Sequence, residues 1–168
     1  LAYNFKVILE PADFKPHNPT RGRKFQATFG TPLKRLDRFV ETLFGEPHDL
    51  RGGWIYFESV IFEPRNLNKL LTAKGIPLLN LNERALRAES GEEAHKLLKA
   101  ALGDWVDFFF GLDPGRIAIY ADHDEFTTVY ASRKDRLDRI IKGMEAIGIK
   151  EEDYVRPKVE ISRKGRSR

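Results

Sequence analysis

Apolar residues recur along this chain with two different periods, and each change of period marks a predicted element. From Asn4 to Glu10, Phe5, Val7 and Leu9 fall on one side and Lys6 and Ile8 on the other, the alternation of a strand. Phe25, Ala27 and Phe29 repeat that alternation over Lys24 to Phe29. Thr31-Pro32 reads as a helix opening, a capping hydroxyl followed by proline at the first helical position. Leu33, Leu36, Phe39, Val40, Leu43 and Phe44 follow at helical spacing, and Gly45 stops them. Trp54 to Phe62 is apolar at nearly every position except Glu58 and Ser59, which predicts a central strand covered on both faces. Asn66 to Lys74 predicts a short helix through Leu67, Leu70 and Leu71, closed by Gly75 and Pro77.

The second half is less even. Leu78 to Glu89 fits a loop or a helix. Ser90 and Glu93 have the spacing of a capping box, and the helix they start turns Ala94, Leu97, Leu98, Ala101 and Leu102 inward. Asp104 to Phe110 reads as a further helical turn or two beyond Gly103. Asp113-Pro114-Gly115 marks a turn, and Arg116 to Ala131 predicts a hairpin whose β-branched and aromatic arms flank Asp122-His123-Asp124-Glu125. Ser132 is placed to cap a last helix carrying Leu137, Ile140, Ile141, Met144 and Ile147, ended by Gly148. Val155 to Ile161 is expected as a late edge strand. This order predicts one α+β domain over residues 1–157, a mostly antiparallel sheet with helices packed on it, and a flexible basic tail over 158–168.

Composition narrows the classes of function. With 41% hydrophobic and 32% charged residues, the chain has the make-up of a globular protein rather than a disordered one. There is no cysteine, which removes disulfides, thiolate nucleophiles and cysteine-ligated zinc. No apolar run is long enough to span a bilayer, and the opening residues lack the order of a secretory signal, so the expected location is cytoplasmic. Residues 158–168 hold five basic groups against Glu160 and carry the whole formal net charge of +4. The remainder is neutral in sum but uneven. Between Lys15 and Arg38 seven basic residues face only Asp37, whereas nine acidic residues between Glu89 and Glu125 face Lys96, Lys99 and Arg116. If these stretches fold onto separate surfaces, one attracts anions and the other cations.

Three site readings follow. The first joins Asp104, Trp105 and Asp107 to Asp122, His123, Asp124 and Glu125 as a partner-binding patch, carboxylates steering the encounter and the indole anchoring it. The second is nucleic-acid binding by Arg21, Arg23 and Lys24 with the tail's Arg163, Lys164, Arg166 and Arg168, since cations contact phosphates and nearby aromatics stack bases. The third is a metal-dependent hydrolase at Asp122, His123 and Asp124, with Glu58, Asp107 or His95 completing the ligands. On an extended strand, Asp122 and Asp124 point to one side and His123 and Glu125 to the other, which weakens that set. His17, His48, His95 and His123 share no ligand spacing, and neither GxSxG nor a phosphate-cradling glycine motif is present. No motif calls for a cofactor.

Tyr120 to Ala131, followed by a helix holding Leu137 and Ile141, resembles the small bacterial immunity-type proteins of toxin systems over residues 116–147. In that family a strand ending in an aspartate-rich tip leads to a second strand and a terminal helix. The resemblance implies a non-enzymatic protein that blocks a partner, often a cationic nuclease toxin, with an acidic patch. The basic N-terminal loop and basic tail of this chain depart from that pattern.

Overall fold

Among the described residues, eight strands share one sheet in which every pairing is antiparallel, and four helices cover one of its faces. The computed structural model describes residues 6–8, 20, 22–45, 50–76 and 80–156. Its elements are β1 (Lys6–Ile8), β2 (Phe25–Gly30), α1 (Leu36–Phe44), β3 (Gly52–Ser59), α2 (Arg65–Ala73), β4 (Arg84–Ala88), α3 (Gly91–Gly103), β5 (Asp107–Asp113), β6 (Ile117–Ala121), β7 (Phe126–Ala131), α4 (Lys134–Ala146) and β8 (Glu151–Glu152). Across the sheet the strands run β1-β4-β3-β5-β6-β7-β2-β8. The expected α+β architecture is therefore present. Arg21 and residues 158–168 lie outside the described residues, as does most of the expected late edge strand; Val155 and Arg156 are not in a strand, and the edge is β8 instead.

Alternation sorts each strand's side chains between two unlike faces. Toward the helices point Phe29, Ile55, Phe57, Leu86, Phe108, Phe110, Ile119 and Val129, meeting Phe39, Leu43, Leu71, Leu98 and Met144. Phe44 stacks on Phe110 with centroids 6.1 Å apart, and Phe29 meets Phe39 edge-on at 6.4 Å. Each fully buried phenylalanine of this kind stabilises by roughly 1.5–3 kcal/mol. The other face is aromatic and polar: Tyr56, Phe109, Tyr120 and Tyr130 are buried with Ala85 and Ala118, and Trp54 packs on them. Thr28 and Thr128, directly paired in register, hydrogen-bond through their hydroxyls at 2.8 Å. Trp54 lies flat on its partner Gly111, where any Cβ would sit 2.4 Å from the indole.

Several local expectations change. Asp104 to Phe110 is not helical: β5 begins at Asp107, with Phe108 and Phe110 on the helix face and Phe109 on the other, all fully buried. A helix would not place three successive aromatics on two opposed buried surfaces; a central strand does. Residues 84–88 are a strand, β4, hydrogen-bonded on both sides by β1 and β3. Thr31 caps no helix. Its hydroxyl bonds that of Thr127 at 2.7 Å, and a single 3-10 turn at Leu33–Arg35 precedes α1. Ser132 does not cap α4 either, whose first turn follows Arg133. Ser90 does cap α3: its Oγ accepts from Glu93 N at 3.1 Å, while Glu93 accepts from Glu89 N at 2.9 Å.

Candidate binding surface at one end of the sheet

Strand register decides which charges meet. Because β6 pairs with β5 and β7 antiparallel, the start of β5, the end of β6 and the start of β7 lie at one end of the sheet. Asp107 and the loop Asp122–Glu125 therefore converge. Asp107 Oδ1 accepts from the His123 backbone N–H at 2.8 Å and lies 2.8 Å from His123 Nδ1. A carboxylate only accepts, so Nδ1 carries the proton in this contact. That bond, with the negative charges of Asp107, Asp124 and Asp122, raises the His123 pKa above the ordinary histidine value against a smaller opposing effect of burial. His123 Nε2 lies 3.6 Å from Asp124 Oδ1. The expected alternation of sides fails here because residues 122–125 form a turn, with Glu125 at φ 74°, rather than extended strand.

Asp122 is bound from the opposite direction. Its Oδ1 accepts from Asp124 N at 3.0 Å and its Oδ2 pairs with Arg156 Nη1 at 2.5 Å. Arg156 Nε donates to Thr128 Oγ1 at 2.9 Å, and the guanidinium stands over the Tyr120 ring, 4.6 Å from its centroid. Tyr120 Oη donates to Glu58 Oε2 at 2.8 Å, and burial first, then Glu58, pushes the Tyr120 pKa well above that of an ordinary phenol. The Arg156 and Asp122 side chains are 5% and 15% exposed, so this is an interior ion pair and not a steering charge.

Asp104 leaves the patch as well. It is buried, and its carboxylate accepts from Asn66 N at 3.0 Å, Asn66 Nδ2 at 2.8 Å and Leu67 N at 2.7 Å. These are first-turn donors of α2, which the preceding Pro64 leaves uncapped, so Asp104 serves as that helix's cap from another element. Burial pushes the Asp104 pKa up, and the three hydrogen bonds oppose it. Trp105, expected as an exposed anchor, is half-buried with φ 54°. Of the seven proposed partner-binding residues, Asp124 and Glu125 are exposed and His123 is open on one side.

Apolar groups that the sequence reading did not select sit at this same end. Six large apolar side chains among the described residues are exposed, and four of them, Leu33, Ile61, Phe62 and Tyr154, lie at this end. Leu33 follows the end of β2, and Ile61 and Phe62 follow β3, whose Ser59 pairs with Asp107; β8 runs away from this end, and the Tyr154 ring reaches it by its contact with β7. Tyr154 stacks on Phe126, the first residue of β7, at 5.7 Å. Ile61 and Phe62 fall at the tail of the strand that the sequence predicts over Trp54 to Phe62, so their exposure carries no sequence signal.

The ligand set expected for a metal is not assembled. Asp122 is committed to Arg156 and His123 Nδ1 to Asp107, while His95 pairs with Asp37 at 3.3 Å. Among the described residues no three histidine or acidic side chains are placed to hold a metal ion. Of the nucleic-acid set, Arg23 donates to the Gly115 carbonyl at 3.3 Å at the opposite end of the sheet, its pKa lowered by burial, and Lys24 is exposed beside it. No described helix is long and apolar enough to cross a membrane. Comparison with protein-family models, curated proteins and solved structures finds no match to this chain.

Proposed function

We propose that this protein is a non-enzymatic binding module that docks a protein partner on the acidic end of its sheet. The observation that carries the reading is the clustering of exposed apolar side chains at the strand ends that also present Asp124 and Glu125. β3 and β7 are three strand spacings, about 14 Å, apart in the sheet; Phe62 follows the first and Tyr154 stacks on Phe126 of the second, so the two lie on either side of the acidic loop. That separation fits within one standard interface of about 800 Å² per partner. Aromatic anchors supply affinity, and the charged loop between them steers the encounter. An inhibitor or immunity role, blocking a cationic partner, is the form of this function that the acidic loop favours.

Affinity capture with the full chain tests it, comparing Phe62→Ser and Tyr154→Ser with the unaltered protein. Each substitution should weaken the captured partner about 10-fold or more. Asp124→Asn with Glu125→Gln should slow association and flatten its dependence on salt. Affinity that survives all four changes rules out this surface.

A further inference from the structure

The opposite end of the sheet holds a feature that the acidic loop does not explain. A cleft of about 620 Å³ lies between the end of α1 and the face of α4 that carries Arg136, Ile140 and Gly143, at the turn joining β5 to β6. That volume is ordinary for a small-molecule site. Its floor is apolar, from Leu43, Phe44, Leu112 and Ile140, and among the described residues its charged lining consists of Arg116, Arg136 and Arg139. Gly143 admits the close approach of the two helices, since a Cβ there would meet Thr42 Cγ2 at 2.8 Å.

The arginines are not equivalent. Asp135 takes Arg133 through two bonds, 3.0 and 2.8 Å, and Arg139 through one at 3.0 Å. Arg136, half-buried between them, has no hydrogen-bond or ion-pair partner among the described residues. Burial, then Arg116, Arg133 and Arg139, lowers its pKa, against a smaller opposing effect of Asp135. The groove between α2 and α3 is also basic, but its cations are lysines without a planar fork, and at least two of the four are paired, Lys96 with Glu92 at 2.8 Å and Lys99 with Asp37 at 2.9 Å. An unpaired guanidinium facing a cleft is the stronger signal, because its planar fork matches phosphate oxygens bidentately.

We propose that this cleft binds a small phosphate monoester with an apolar organic part, the phosphate on Arg136 and Arg139 and the organic part on Phe44 and Ile140. The site is independent of the acidic end, so either can fail without the other. Isothermal titration of the full chain with phenyl phosphate, inorganic phosphate and phenol tests it. Phenyl phosphate should bind about 10-fold or more tighter than inorganic phosphate, and phenol should not bind measurably. Arg136→Gln should weaken phenyl phosphate at least about 10-fold, and Arg136→Lys, which keeps charge but not the fork, by an intermediate amount. Arg139→Gln on the exposed rim is the second variant should Arg136→Gln melt early. No heat with phenyl phosphate, equal affinity for inorganic phosphate, or unchanged binding in both glutamine variants overturns the proposal. So does a single-stranded oligonucleotide that binds equally with and without a terminal phosphate, because contact would then be along a nucleic-acid backbone.

Discussion

Replacing Asp122 with asparagine probes the division between interior and surface charge at the acidic end. In the native protein its carboxylate is 15% exposed and faces a guanidinium that is 5% exposed. Asp122→Asn keeps the shape and the acceptor for Asp124 N, but it leaves Arg156 buried without its counter-charge. Removing one partner of a buried ion pair typically costs 3–5 kcal/mol, and asparagine's remaining oxygen argues for the lower figure, about 3 kcal/mol. Arg156 Nη2 is already buried without a hydrogen-bond partner, so losing the carboxylate adds to an existing deficit. In a chain of 168 residues each kcal/mol moves the midpoint by about 2–4 °C, so melting should fall by roughly 6–12 °C. Urea unfolding followed by circular dichroism gives the free energy. Arg156→Met should cost a similar amount, and the double variant should cost at least about 1 kcal/mol less than the two singles together. Asp124→Asn, at a side chain 74% exposed, should stay within about 0.5 kcal/mol. An additive cycle, or an Asp122→Asn as mild as Asp124→Asn, refutes the interior pair.

Three further outcomes follow from the same geometry. Asp104→Ala should destabilise by about 2 kcal/mol in urea melts, since it strips the cap from α2 and strands two backbone donors; a change below about 0.5 kcal/mol contradicts that role. Gly111→Ala should cost about 1–3 kcal/mol and shift the Trp54 fluorescence, because the indole occupies the space of the new methyl group; an unaltered spectrum and stability count against that packing. The raised His123 pKa means its bond to Asp107 stabilises fully below the ordinary histidine value and is lost as pH rises through the raised one. The stability gap between native protein and His123→Gln should therefore be wider at pH 5.5 than at pH 8.5, and a gap that is flat or widens with pH shows the opposite sign.

Much of this architecture was legible because several segments state their period cleanly. Phe25, Ala27 and Phe29, the arms of the hairpin, and the Ser90–Glu93 box each specify an element without help from distant residues. β4 was not legible. Arg84, Ala85, Leu86, Arg87 and Ala88 prefer helix, and only pairing on both edges by β1 and β3 overrides them. β5 was hidden for a different reason: in Phe108-Phe109-Phe110 every position is apolar, so no period remains to separate strand from helix. At the site, adjacency in sequence placed Asp104 with the acids, although its hydrogen bonds are to a helix start 37 and 38 residues away. Asp122 likewise looked free until Arg156 was brought across the sheet. Charge in a sequence shows where carboxylates can gather, and only partners from other elements decide which of them still face solvent.

The central claim is that protein docking belongs to the acidic end and not to the arginine end. The most direct measurement is quantitative affinity capture with two paired variants, Phe62→Ser/Tyr154→Ser and Arg136→Gln/Arg139→Gln, read by mass spectrometry against the unaltered chain. The captured partner should be lost with the first pair and retained with the second. Loss with the arginine pair alone, or equal capture by both, would contradict it.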